Sequence, residues 1–212
     1  MLPLYLQIIQ GNTATQAGLK LIPLMLGILS ATVTSGRAIT KTGKYKKFPI
    51  AGTIVMSIGL LLMTRLSLVT PYWEIAIYAI VVGAGLGLTM QTIVIALQND
   101  IDFKLLGIAT SSNTFFRTLG GAFGTAIFGT ILSHNVSHNL KDGFAALAKT
   151  NPEVLSKVDP TLLTSITTNT GAIAKLPAVV QNTVLEGFMS AFHSVFIAAF
   201  PVVALGLVFA IF

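Results

Sequence analysis

The chain has 212 residues, of which 9% are charged, and its mean hydropathy is +0.82. A soluble domain carries about 25% charged residues, so the composition excludes an ordinary soluble protein and indicates an integral membrane protein. The sequence contains no cysteine, which excludes disulfides, thiolate metal sites and cysteine nucleophiles.

The apolar runs, taken in chain order, predict one partial membrane span and five complete ones. Residues 1–10 are too short to cross, because a span needs about 20 residues. We predict complete spans at residues 19–35, 49–66, 75–97, 106–132 and 188–212. Since both ends of the chain lie in or beside an apolar run, we expect it to be a piece of a larger membrane protein.

The segment 36–48 lies between the first two complete spans and concentrates positive charge. Its sequence, GRAITKTGKYKKF, holds five of the 13 basic residues and no acid, which accounts for most of the formal net charge of +6. Cationic residues resist translocation, so a short basic connection stays on the cytoplasmic face. We therefore predict a cytoplasmic loop here, with the lipid bilayer as the chain's surroundings and no nucleic-acid partner.

Residues 133–187 form the longest connection between the predicted spans and lie on the extracytoplasmic side. Two pairs in this loop, Asn151-Pro152 and Asp159-Pro160, are typical of helix starts, with a capping side chain followed by proline. We expect one or two short helices there, outside the lipid.

The predicted third span carries Gly83 and Gly87, a four-residue spacing that lets another helix backbone approach closely. The same helical face reaches Gln91, and a polar side chain at this depth is costly unless it faces protein or water. Two interpretations remain open: interhelical packing with one hydrogen bond, or a cavity wall that contacts a substrate.

The predicted fourth span carries a face of polar and glycine residues: Asn113, Arg117, Gly120 and Gly124. Arg117 lies about 16 Å from the start of this span at 1.5 Å per residue, close to the middle of a core about 30 Å thick. An unpaired arginine there costs at least about 3 kcal/mol, so we expect it to face protein or a wet cavity. It either ties helix ends together at the inner face or contacts a substrate or a coupling carboxylate.

The sequence shows no pattern typical of an enzyme. It has no Ser-His-Asp arrangement, no phosphate-binding loop and no acidic residue inside a predicted span. His134 and His138 are four residues apart, but two ligands without a third do not make a zinc site. We therefore predict no catalytic residues, no metal and no cofactor.

The basic segment resembles the loop signature of the major facilitator superfamily, G-x-x-x-D-R-x-G-R. Gly36, Lys41, Gly43 and Lys44 match it with Lys for Arg, whereas Thr40 replaces the usual Asp. The stretches LPLYLQIIQG, GAGLGLTMQ and GIATSSNTFFRTLGGAFGTAIFG resemble the carboxyl-terminal half of the EmrB/QacA-type, fourteen-span drug:proton antiporters.

This resemblance implies an all-α membrane fold, the carboxyl-terminal six-helix half of a major facilitator fold. It also implies proton-coupled efflux of drugs or amphipathic compounds by alternating access, with a site between two helical halves. The implied partners are the missing amino-terminal half, a small amphipathic or cationic substrate, and protons. The implied location is a multi-pass position in the bacterial plasma membrane. The alternative is a non-transporting remnant or a membrane scaffold fragment.

Overall fold

A computed structural model describes residues 1–150, 173 and 176–211, and these are almost entirely helical. The helices are α1 (Leu2–Ile8), α2 (Ala14–Leu19), α3 (Ile22–Thr42), α4 (Lys47–Met63), α5 (Tyr72–Asp100), α6 (Leu106–Thr150) and α7 (Ala178–Ile211). A 3-10 turn at Phe103–Leu105 separates α5 from α6. The described residues contain no strand, which confirms the predicted all-α fold.

Several of these helices have the length and composition of membrane spans. Within the described part of the chain, four helical segments are long and apolar enough to cross a membrane: Ala14–Thr42, Tyr72–Asn99, Phe103–Thr150 and Ala178–Ala210. The fifth apolar helix, α4, has 17 residues and is therefore about 26 Å long. These helices support the multi-pass membrane protein that the composition indicates.

The chain divides into two compact units. The first comprises Met1–Lys20, Ser67–Thr70 and Thr130–Val195. The second comprises Leu21–Leu66, Pro71–Gly129 and Phe196–Phe212.

The first unit is built around the aromatic pair of Tyr5 and Phe192. Both side chains are fully buried, and their rings meet edge to face with centroids 5.7 Å apart. The Tyr5 hydroxyl donates a hydrogen bond of 2.9 Å to the Ser67 carbonyl oxygen, which satisfies its one buried polar group. Nearby, Thr13 and Gln16 form a reciprocal capping box that begins α2.

The second part of α6 and the first part of α7 also belong to this unit. Both helices are longer than the membrane spans that the sequence predicted. The sequence predicted a loop at 133–187, but α6 continues to Thr150 and α7 begins at Ala178. One face of the extended α6 is apolar and buried, and its residues are Leu132, Val136, Leu140 and Leu147. This helical spacing, rather than a continuous apolar run, maintains the helix beyond the predicted span. The predicted helix starts at Asn151 and Asp159 lie outside the described residues.

In the second unit, the basic segment 36–48 is mostly helical instead of forming the predicted loop. Arginine and lysine are good helix formers, and α3 continues to Thr42 before Gly43 adopts a left-handed conformation with φ 66°. Glycine adopts this conformation without steric cost and so ends the helix. The non-helical connection to α4 is therefore only residues 43–46.

Candidate functional site

Helix α5 packs against α3 through backbone contacts at Gly83 and Gly87. A β-carbon added to Gly83 would collide with the Leu24 carbonyl oxygen, and one added to Gly87 would collide with the Ile28 carbonyl oxygen. On α3, Gly27 leaves equally little room against the α5 backbone. Side chains at these positions would push the two helices apart.

Gly85 lies on the opposite side of α5, because residues two positions apart in an α-helix point about 200° apart. A β-carbon on Gly85 would lie 2.6 Å from the Met56 nitrogen and 2.8 Å from the Gly52 carbonyl oxygen of α4. The three alternating glycines of α5 therefore serve contacts with two different helices. The sequence pattern singled out Gly83 and Gly87 as a close-approach pair and gave no role to Gly85.

The predicted substrate-contacting residues lie on α5 and α6. Gln91 and Asn113 are half-buried, and Arg117 is exposed. No hydrogen bond or ion pair among the described residues joins these three side chains to one another. The structure therefore places them on membrane-length helices without assembling them into one site.

The remaining part of the predicted α6 face is open. Added β-carbons at Gly120 and Gly124 would meet no described atom within 4 Å. Large apolar side chains nearby are also exposed, including Phe116 and Phe123. The described residues thus leave most of α6 exposed between residues 107 and 127, and Asn113 and Gly124 on its polar face are only half-buried.

The residues of the predicted loop signature divide between helix and turn. Gly36 and Lys41 lie in α3, whereas Gly43 and Lys44 lie in the connection to α4. The basic residues of segment 36–48 all have exposed side chains: Arg37, Lys41, Lys44, Lys46 and Lys47. Within the described part of the chain, none of them forms an ion pair with a carboxylate. Their charge is therefore available to a binding partner.

A cavity of about 690 Å³ opens in the second unit between α4, α5 and the end of α7. Its α5 wall consists of Thr89, Thr92, Ile93, Ala96 and Leu97. The α4 side contributes Lys46, Pro49 and Thr53, and the α7 side contributes Gly206, Phe209 and Ala210. Tyr45 and Ile101 complete the lining. The volume lies within the range of about 300–1,000 Å³ that is usual for small-molecule sites.

Three threonine hydroxyls on the cavity wall form hydrogen bonds within their own helices. Thr53 donates to the Pro49 carbonyl oxygen at 2.9 Å, and Thr92 donates to the Leu88 carbonyl oxygen at 2.7 Å. Thr89 likewise donates within α5. Each of these hydroxyls already donates its proton to a carbonyl oxygen of its own helix, so towards a ligand it can act only as a weak hydrogen-bond acceptor. The cavity is therefore suited to an apolar group.

Lys46 is the only charged residue among the described residues that line this cavity. It lies at the end formed by the α3–α4 connection, beside the first residue of α4. The cavity thus combines an apolar wall with a cationic end. No linear sequence signal identified it, because its wall comes from short stretches of three helices that are far apart in the chain.

Comparison with known proteins finds two transporters and a tetracycline resistance protein among the relatives of this chain. An uncharacterized MFS-type transporter of Mycobacterium tuberculosis is 34% identical over 209 residues, which cover 99% of this chain and 28% of that protein. Multidrug transporter protein MdtP of Bacillus subtilis is 29% identical over 224 residues, which cover 99% of this chain and 41% of that protein. The tetracycline resistance determinant of Streptomyces rimosus is 37% identical over 131 residues, which cover 62% of this chain and 38% of that protein.

The chain matches no protein-family profile. It spans 28% to 41% of the length of the three relatives described above. Those relatives agree with the membrane-length helices and with the resemblance seen in the sequence. The chain is therefore a multi-pass membrane protein that is homologous, over 99% of its length, to part of an MFS-type transporter of Mycobacterium tuberculosis.

Proposed function

We propose that this chain forms the carboxyl-terminal half of a proton-coupled efflux transporter of the EmrB/QacA type. The single observation that carries the proposal is the exposed Arg117 on the membrane-length helix α6, one turn beyond the half-buried Asn113. An arginine at this depth costs at least about 3 kcal/mol in lipid, so the face requires protein or water beside it. The second half of a transporter and the pathway between the halves supply both.

Alternating access gives the described helices distinct roles. The backbone contacts that Gly83 and Gly87 make with α3 hold part of this half together as it moves. Gln91, Asn113 and Arg117 line the pathway, where the guanidinium donates hydrogen bonds to a substrate or to a coupling carboxylate. No acid lies inside a predicted span, so we place that carboxylate in the amino-terminal half.

The substrate class is small amphipathic or cationic compounds. The multidrug and tetracycline-resistance names of two relatives support this class. The basic segment 36–48 faces the cytoplasm, and the transporter crosses the bacterial plasma membrane. A non-transporting remnant or scaffold could keep the α3–α5 contact, but it would give the polar face of α6 no purpose.

Ethidium efflux tests this function in cells that lack their own pumps and express the complete protein. We expect Arg117→Ala to abolish proton-driven efflux, because it removes the donors from the pathway. Arg65→Ala is the matched control, since Arg65 is exposed beyond the end of α4, and we expect it to retain efflux. The amount of each variant in the membrane is measured in the same cells.

Wild-type efflux by Arg117→Ala at equal expression would contradict the proposed pathway. Arg117→Lys guards against a folding artefact, because it keeps a cation at the same position. We expect Arg117→Lys to reach the membrane and to efflux poorly, since lysine lacks the planar set of donors.

A further inference from the structure

A second, smaller concavity adjoins the cavity between α4, α5 and α7. It measures about 300 Å³ and is lined by Gly43, Lys44, Tyr45, Lys46 and Lys47. Tyr45 and Lys46 line both spaces. A basic concavity and an apolar cavity therefore adjoin at Lys46, where α4 begins.

The surroundings of this concavity are strongly cationic. Segment 36–48 itself carries no acid, since Glu74 is the first acidic residue of the sequence. Asp102 adjoins Ile101 of the cavity lining, but it makes no ion pair with a described lysine. Lys44, Lys46 and Lys47 are exposed and make no ion pair with a described carboxylate. An anion bound here would face three ammonium groups without displacing an existing partner.

We infer that the two spaces together bind one anionic phospholipid of the leaflet in which the basic segment lies. The phosphate occupies the concavity lined by Lys44, Lys46 and Lys47, and an acyl chain enters the apolar cavity past Lys46. Basic pockets between membrane helices are suited to acidic head groups, and lysine stems extend along apolar surface. This inference does not depend on the proposed transport activity.

The shape of the site favours a lipid over a soluble phosphate. A small anion would use only the lysines, whereas the larger space is walled by Ile93, Ala96, Leu97 and Phe209. Burial of an acyl chain against these side chains adds hydrophobic free energy that a soluble anion cannot gain. The lipid would also contact α4, α5 and α7 together, so its binding should raise the melting temperature of the protein.

Lipid titration of the purified complete protein tests this site, with native mass spectrometry as the measurement. Phosphatidylglycerol is compared with phosphatidylcholine. We expect Lys46→Gln to weaken phosphatidylglycerol binding about fivefold, which is the effect of about one lysine near an anionic surface. Lys41→Gln is the matched control, because it removes the same charge from the same segment outside both spaces.

A second pair of variants tests the apolar cavity. We expect Ala96→Phe to fill it and to weaken phosphatidylglycerol binding at least as much as Lys46→Gln does. Ala51→Phe, at an exposed position of α4 that does not line either space, should leave binding unchanged. Soluble glycerol phosphate should compete only weakly with the lipid.

Three results would overturn the inference. Equal effects of Lys41→Gln and Lys46→Gln would show diffuse attraction to the basic segment. Unchanged lipid binding by folded Ala96→Phe would show that the acyl chain does not enter the cavity, as expected if another protein segment covers it. Strong competition by glycerol phosphate would show an anion site without a lipid chain.

Discussion

At the scale of single residues, glycine has two different roles in this chain. Gly87 is required by close packing, because an added β-carbon would collide with the Ile28 carbonyl oxygen. Gly43 has open space around it, but its φ of 66° lies in the left-handed region. The same residue type therefore serves a helix contact in one place and a helix end in the other.

Gly43 and Gly36 offer a matched test of the helix end. Gly43→Ala should destabilise the protein by about 1 kcal/mol, because a β-carbon disfavours the left-handed conformation. Gly36→Ala should be neutral or stabilising, since Gly36 lies within α3, an added β-carbon there meets no described atom and alanine favours helix. Thermal unfolding in detergent measures both, and equal melting temperatures for the two variants would argue against this helix end.

At the scale of elements, α6 and α7 stay together beyond the predicted spans. The Asn139 side-chain amide donates a 3.1 Å hydrogen bond to the Gly187 carbonyl oxygen. Near it, a β-carbon on Gly143 would lie 2.6 Å from the Cγ2 methyl of Thr183. The sequence predicted a loop at 133–187, but the beginning and the end of this range are helical and contact each other.

The Gly143–Thr183 contact can be tested by relief of a clash. Gly143→Ala should cost about 1–3 kcal/mol of unfolding free energy, because the new methyl overpacks the contact. Thr183→Ser removes the opposing methyl. The free energy of unfolding of the double variant should therefore be at least about 1 kcal/mol higher than the sum of the two single changes predicts. Additive melting-temperature changes in this double-mutant cycle would mean that α6 and α7 do not meet here.

The ends of elements were harder to predict than their existence. Hydropathy detects the apolar stretch that faces lipid, and it found the runs that became α3, α5 and α7. It could not detect how far a helix continues outside the lipid, which depends on spaced residues such as Val136 and on an end signal such as Gly43. The larger cavity was missed for a related reason, since Thr53, Thr92 and Gly206 are brought together only by folding.

At the scale of the whole molecule, the proposed transport depends on what lies beside α6. Gln91, Asn113 and Arg117 were predicted as cavity residues from sequence, and among the described residues Arg117 is exposed while Asn113 is half-buried. If a second half faces α6, water and substrate reach Asn113. If α6 faces lipid on all sides, this position stays dry. The two situations differ in chemical accessibility.

Because this chain contains no cysteine, a single introduced thiol reports its own surroundings once any cysteine elsewhere in the complete protein has been replaced. Asn113→Cys should react with a membrane-impermeant thiol reagent, and ethidium should slow that reaction. Phe115→Cys is the control, because it lies about 200° around α6 and faces away. Equal labelling of the two cysteines, with no protection by ethidium, would contradict the claim that α6 lines a transport pathway.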